Sequence, residues 1–214
     1  METVTLEREA PRSRGKKRLY ISSVPKRESL QTIQALQALI GSINPNFIPY
    51  PRNRLHMTVF HFGNPMSVFD SIRQQASPNI SIEEYRNMLS SLTQTYRVIT
   101  YKMGNFSVTP QELDYFGRYV VVKIKAPLSF MKIRDHLSIA TQVYLRYLGV
   151  DDVCSFCYKS QDLWTVPRET YNPHITLGTI DQNNTDIPQI NGISIPEGVD
   201  IQMSHPYTYE GEII

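Results

Sequence analysis

A chain of 214 residues, 41% of them hydrophobic, can bury a sizeable core, which excludes a disordered tail or a small cysteine-stapled module. Twenty-two Lys and Arg against twenty Asp and Glu leave a formal +2 with histidine neutral, so no overall field draws the chain to nucleic acid or a membrane, and any polyanion has to be met locally. The N-terminus shows no secretory apolar run and no later stretch reaches about 18 consecutive apolar residues, so a soluble cytoplasmic chain is expected, with the nucleus as the other compartment.

Residues 1–17 are polar and irregular and carry Arg12, Arg14, Lys16 and Lys17, with Arg18 next to them; a flexible, solvated basic arm is expected there. Leu19-Tyr20-Ile21 begins a strand over Arg18 to Ser23. Leu30, Ile33, Leu36, Leu39 and Ile40 repeat at helical spacing over Ser29 to Ile40, with Gly41 as the stop. Phe47-Ile48-Pro49-Tyr50-Pro51 is an extended approach, because proline excludes the helical shape of the residue before it. It leads into a strand at Leu55 to Phe60. Ser81 to Leu92 is helical in pattern; strands are expected at Tyr96 to Tyr101 and Asn105 to Val108, and Tyr119 to Ile124 is apolar enough for a central strand. Leu128 to Leu148 is the longest helical pattern, stopped by Gly149. Strands are expected at Val153 to Tyr158, Leu163 to Val166 and His174 to Ile180, followed by a segment rich in Pro, Gly and Asn.

Two strand-helix-strand orders are visible in this reading, one before residue 110 and one after it. Each closes on the same triplet: His56-Met57-Thr58 and His174-Ile175-Thr176. A strand has a period of two, so histidine and threonine share one face and the middle residue takes the other. By the same parity Phe60 shares the face of His56, and His61 takes the opposite one as a structural residue. Two imidazoles across a cleft suit phosphodiester cleavage. One takes a proton from the attacking oxygen, the other gives one to the leaving oxygen, and the two hydroxyls hydrogen-bond the non-bridging phosphate oxygens. No metal or other cofactor is required.

Arg54-Leu55-His56-Met57-Thr58-Val59-Phe60-His61-Phe62-Gly63 and Pro173-His174-Ile175-Thr176-Leu177-Gly178 together resemble the paired motifs of the 2H phosphoesterase superfamily. The resemblance implies an α+β bilobal fold in which two antiparallel-dominated β-sheets line a central cleft, with helices outside and a pseudo-twofold relation. It would fill residues 18–214 as a single domain with lobes of about 18–110 and 111–214, strand exchange allowed. It also implies metal-independent hydrolysis of a nucleotide or RNA phosphodiester that involves a ribose 2'-oxygen, either a 2',3'-cyclic phosphate or a 2',5'-linked oligoadenylate. The roles carried over are His56 and His174 as acid and base, and Thr58 and Thr176 as phosphate ligands. Where some relatives place a basic residue after the second motif, this chain has Thr179-Ile180.

Other side chains compete for supporting roles. Arg54, two positions before His56, and Arg168, on the loop before the second motif, are phosphate candidates, since a planar guanidinium grips phosphate in a way lysine does not. Tyr50, Phe60, Trp164, Tyr171 and Tyr207 are candidate stacking platforms, Tyr171 and Tyr207 being favoured because they fall in loop-like sequence. His136 is expected to be structural and His205 to sit in a loop. Cys154 and Cys157 have neither the partners of a zinc site nor, in strand-like sequence, the helical setting of a redox pair. P-loop, dinucleotide and nucleophile-elbow motifs are absent.

The expected partner is a nucleotide, a short oligonucleotide or an RNA end, not long duplex RNA, because duplex contacts recruit many basic side chains. No membrane contact is expected, and the chain should be monomeric. The competing functions are hydrolysis of cyclic oligonucleotide messengers, RNA 3'-end processing, a catalytically idle RNA-binding module, and another hydrolase or protein-interaction domain.

Overall fold

The computed structural model describes residues 17–160, 162–163, 165–167, 171–180, 190, 193, 195 and 198–212; Trp164 and Arg168 lie outside the described residues, as does all of the basic arm but Lys17. The strands are β1 (Lys17–Ser23), β2 (Phe47–Pro49), β3 (Met57–Gly63), β4 (Phe106–Phe116), β5 (Tyr119–Lys125), β6 (His174–Ile180), β7 (Ile201–Met203) and β8 (Tyr207–Glu212). They form one eight-stranded sheet in the order β7-β4-β5-β6-β3-β1-β8, with β2 also paired to β6 and every ladder antiparallel.

Two sheets are expected from the sequence; the described strands make a continuous sheet whose halves are joined by very little. The β3–β6 ladder consists of the single pair Met57↔Ile175. Below it, the edge of β3 is taken by the loop that precedes the second motif. The His61 amide donates to Thr165 Oγ1 (2.8 Å), Thr165 Oγ1 donates back to the His61 carbonyl (3.0 Å), and the Asn64 amide donates to Asp162 Oδ1 (2.9 Å). Chain order and sheet halves do not part at one cut: β4 runs through position 110 into the β5–β6 half, and β8 returns from the C-terminal end to pair with β1.

Five helices cover the apolar side: α1 (Leu30–Ile43), α2 (Pro65–Gln75), α3 (Ile82–Tyr101), α4 (Leu128–Tyr147) and α5 (Val153–Lys159). Four depart from expectation. α1 continues through Gly41, which keeps an ordinary helical backbone, and ends where the Asn44 amide donates to the Ile40 carbonyl. α3 absorbs the strand expected at Tyr96 to Tyr101, because Tyr96 and Thr100 extend the buried stripe of Tyr85 and Leu92 by further turns; packing overrides the β propensity of Val98, Ile99 and Thr100.

The strand expected at Val153 to Tyr158 is α5. Asp152 caps it by accepting from the Ser155 amide (2.9 Å), and Val153, Phe156 and Cys157 are buried at helical spacing. Cys154 therefore stands in the first turn of a helix, exposed, while burial pushes the Cys157 thiol up to about 12. α2, not anticipated at all, starts at Pro65 behind an Asn64 cap. No strand forms at described positions between 163 and 166. Gly149 stops α4 as expected, with φ +82° and the paired bonds Val150 to Leu145 and Gly149 to Arg146. Among the described residues no helix is long and apolar enough to cross a membrane.

β2 fixes the outer flank of β6. Buried Gln37 on α1 donates to the carbonyls of Tyr50 (2.9 Å) and Leu177 (2.8 Å), tying the two strands together, and Gly178 lies opposite Pro49. A Cβ on Gly178 would run into the Ile48 carbonyl oxygen and the Phe47 ring. Gly178→Ala is therefore expected to cost about 1–3 kcal/mol, the usual range for overpacking. The denaturant midpoint reports it, and an unchanged midpoint would mean that β2 yields freely.

Candidate functional site

The single β3–β6 pair lies at the centre of both motifs. Met57 and Ile175, its two members, are fully buried, so the residues flanking them turn to the other face of the sheet. An antiparallel register centred on this pair sets His56 across from Thr176 and Thr58 across from His174. The register thus brings each histidine position across from the threonine position of the opposite motif. All four side chains are half-buried.

The two imidazoles are held alike. His56 Nδ1 lies 2.9 Å from the Arg54 carbonyl oxygen and His174 Nδ1 lies 2.8 Å from the Asn172 carbonyl oxygen, in each case two residues back. A carbonyl only accepts, so each Nδ1 carries hydrogen and each Nε2 is the unprotonated atom of the neutral ring. Among the described residues, no protein group takes either Nε2 or the hydroxyls of Thr58 and Thr176. Burial lowers the His174 pKa; the Asn172 carbonyl opposes this, and the nearby His56 lowers it further. The two rings therefore sense each other's charge.

Each histidine has an aromatic neighbour from another strand of the sheet. Tyr20 of β1 lies 6.3 Å from His56 between ring centroids, and Phe116 at the end of β4 meets His174 edge-on at 4.7 Å and 83°. Opposite His174 on β5 stands Lys123, whose ammonium is held by Glu112 (2.9 Å) and Asp114 (2.5 Å), which raise its pKa. Sequence reasoning missed all three residues. Lys123 was the available signal, as the one charge interrupting an otherwise apolar central strand.

Several expected residues are placed differently. Arg54 is not on the strand: it ends a one-turn 3₁₀ helix, Arg52–Arg54, so strand parity does not apply, and its guanidinium lies 5.7 Å over the Tyr50 ring. Phe60 does not share the face of Thr58. Thr58 is opposite Ser22 while Phe60 is opposite Ile21, and the bulge between them turns Phe60 into the core, edge-on to Tyr96.

Tyr171 is built into the scaffold instead of being offered to a base. Its hydroxyl donates to the Thr58 carbonyl (2.8 Å), and its ring packs on Phe130 and lies 4.4 Å beneath the Arg134 guanidinium. Arg134, fully buried on α4, also donates to the carbonyls of Thr165 and Pro167. The loop into the second motif is thereby fastened to the first. Tyr207 lies at the start of β8, not in a loop, opposite Ser22 and in the cross-strand row of Thr58; it remains 37% exposed. His205 is an exposed loop residue, as expected.

His61 is structural. It is 8% exposed, its Nδ1 lies 3.0 Å from the Asp162 carbonyl, and burial is the main cause of a pKa near 4.

Comparison with proteins of known structure bears on the fold. A phosphoesterase crystal structure matches with a TM-score of 0.50 at 14% identity, covering 91% of this chain and 88% of that one. LigT from E. coli, crystallised with 3'-AMP, matches with a TM-score of 0.50 at 14% identity, covering 93% and 90%. No family model matches the chain, and no curated protein does. The chain shares its fold with these two proteins.

The lowered pKa of His61 makes stability depend on pH. The unfolded histidine binds a proton that the folded one refuses, so stability is complete above 6.5 and falls as pH drops towards about 4, by on the order of 3 kcal/mol. Denaturant midpoints from pH 7 to 4 measure the slope. His61→Gln should flatten it, and an equally steep slope in that variant would assign the effect to other groups.

Proposed function

We propose that this chain is a phosphodiesterase in which His56 and His174 cleave a nucleotide or RNA phosphodiester involving a ribose 2'-oxygen. The observation that supports this best is the matched pair of Nδ1-anchored imidazoles, each set beside the other motif's threonine about the Met57↔Ile175 pair. We read the two halves of the sheet as pseudo-twofold lobes that part on either side of that pair, with the scissile phosphate seated between them.

The chemistry follows from proton positions. Burial and the nearby His56 lower the His174 pKa, which suits its Nε2 to the role of base and leaves the role of acid to His56. With a 2',3'-cyclic phosphate, His174 takes a proton from water as the water oxygen bonds to phosphorus. His56 gives its proton to the ribose 3'-oxygen as the bond from phosphorus to that oxygen breaks. The products are a 2'-phosphate and a 3'-hydroxyl, and the protons balance. The hydroxyls of Thr58 and Thr176 donate to the non-bridging oxygens, where charge redistributes. A 2',5'-linked oligoadenylate offers the same 2'-bound phosphorus to the same four side chains.

His56→Ala and His174→Ala are each expected to lower turnover by about 10² to 10⁴, the usual contribution of a positioned acid or base, while leaving the unfolding midpoint near that of the parent. Product analysis by chromatography and mass, with chelator present, is run on a nucleoside 2',3'-cyclic phosphate, 2',5'-triadenylate and its 3',5' isomer. Undiminished turnover in both folded variants would overturn the assignment.

A further inference from the structure

Beside the first motif the sheet opens into a groove of ≈ 480 Å³ lined by Val24, Pro25, Pro51, Arg52 and Asn53. One wall continues directly from β1: Ser23 is opposite Met57, and Val24 and Pro25 follow it past the end of the ladder. That wall is fixed. The Ser23 hydroxyl donates to the Ser204 carbonyl (2.6 Å), the Val24 amide donates to Ser204 Oγ (3.2 Å), and Pro25 bridges to Met203. The other wall is the one-turn helix that ends two residues before His56, closed by bonds from the Arg54 amide to the Pro51 carbonyl (2.9 Å) and from the Leu55 amide to the Arg52 carbonyl (3.2 Å).

The charge around the site is unevenly distributed. Beside His174 the carboxylates of Glu112 and Asp114 enclose Lys123. Beside His56 the turn presents Arg52 and Arg54, both exposed, and among the described residues no carboxylate pairs with either. An exposed arginine fork at the mouth of a groove suits a phosphate, the Asn53 amide supplies further donors, and the prolines and Val24 give a surface for a sugar or base. The size is that of a site for a nucleotide unit, not for a lone ion.

We propose that this groove binds a second phosphate of the substrate chain, that of the nucleotide unit next to the scissile phosphate, with Arg52 as its principal ligand. The inference rests on the phosphodiesterase reading and narrows it: the preferred substrate is an oligonucleotide, and a mononucleotide cyclic phosphate fills only half of the site. Specificity for chain over monomer is set by Arg52, outside the two motifs.

Equilibrium binding by calorimetry tests this without turnover, with two product-like probes that carry the same terminal group: adenosine 2'-phosphate, and adenylyl-(3'→5')-adenosine 2'-phosphate, which adds one phosphodiester. The dinucleotide is expected to bind the unaltered protein about ten-fold tighter, the scale of one added charge-assisted contact. Arg52→Gln should erase that advantage and reduce the dependence of dinucleotide binding on salt by about one phosphate contact. Arg52→Lys should restore part of it. Equal affinities in the unaltered protein, or an advantage that survives in Arg52→Gln, would overturn the groove assignment while leaving the histidine site standing. Failure of both probes to bind would instead remove the phosphate site on which the inference rests.

Discussion

One backbone pair, Met57 opposite Ile175, holds the two motifs in a common frame. Because both side chains are fully buried, the alternation of a strand sends His56, Thr58, His174 and Thr176 to the opposite face without further instruction. Because the pair is antiparallel, each histidine is carried to the other motif's threonine. Because it is the only pair between the two strands, they part on both sides of it, where β2 takes the edge of β6 and the loop before the second motif takes that of β3.

What keeps so slight a junction in place is arranged around it. On one side β2 is bound to β6 through Gln37, and Gly178 allows the close approach. On the other, the loop at 162–167 takes the free edge of β3, and buried Arg134 and Ser138 on α4 hold three successive carbonyls of that loop, those of Thr165, Val166 and Pro167. Tyr171 completes the path, since one end of its side chain lies under Arg134 and the other donates to the Thr58 carbonyl. The first motif is therefore anchored by the approach to the second. This use of Tyr171 explains why an aromatic residue in loop-like sequence is not available for stacking.

The strand placement of the two motifs was more legible in the sequence than their surroundings. His-x-Thr on a strand is a local pattern, and the burial of Met57 and Ile175 follows from their type and parity. The misreadings arose where tertiary packing decided the outcome. Tyr96 and Thr100 look like strand residues and become helical because their ring and hydroxyl complete a buried stripe. Phe60 keeps formal parity with Thr58, and a bulge cancels it. Arg54 fails for a similar reason: the strand begins three residues later. Lys123 and Phe116 come to the site only through the β4–β5 hairpin and the β5–β6 register, long-range pairings that no local pattern specifies.

The most direct test of the paired site is nitrogen NMR of the imidazoles in the unaltered protein, with and without inorganic phosphate. The expected result is Nδ1–H in both His56 and His174, Nε2 shifts in both on adding phosphate, and a His174 titration that moves when His56 is replaced by Asn. Nε2–H forms in the neutral rings, or two histidines that titrate independently and respond to phosphate separately, would contradict a shared site.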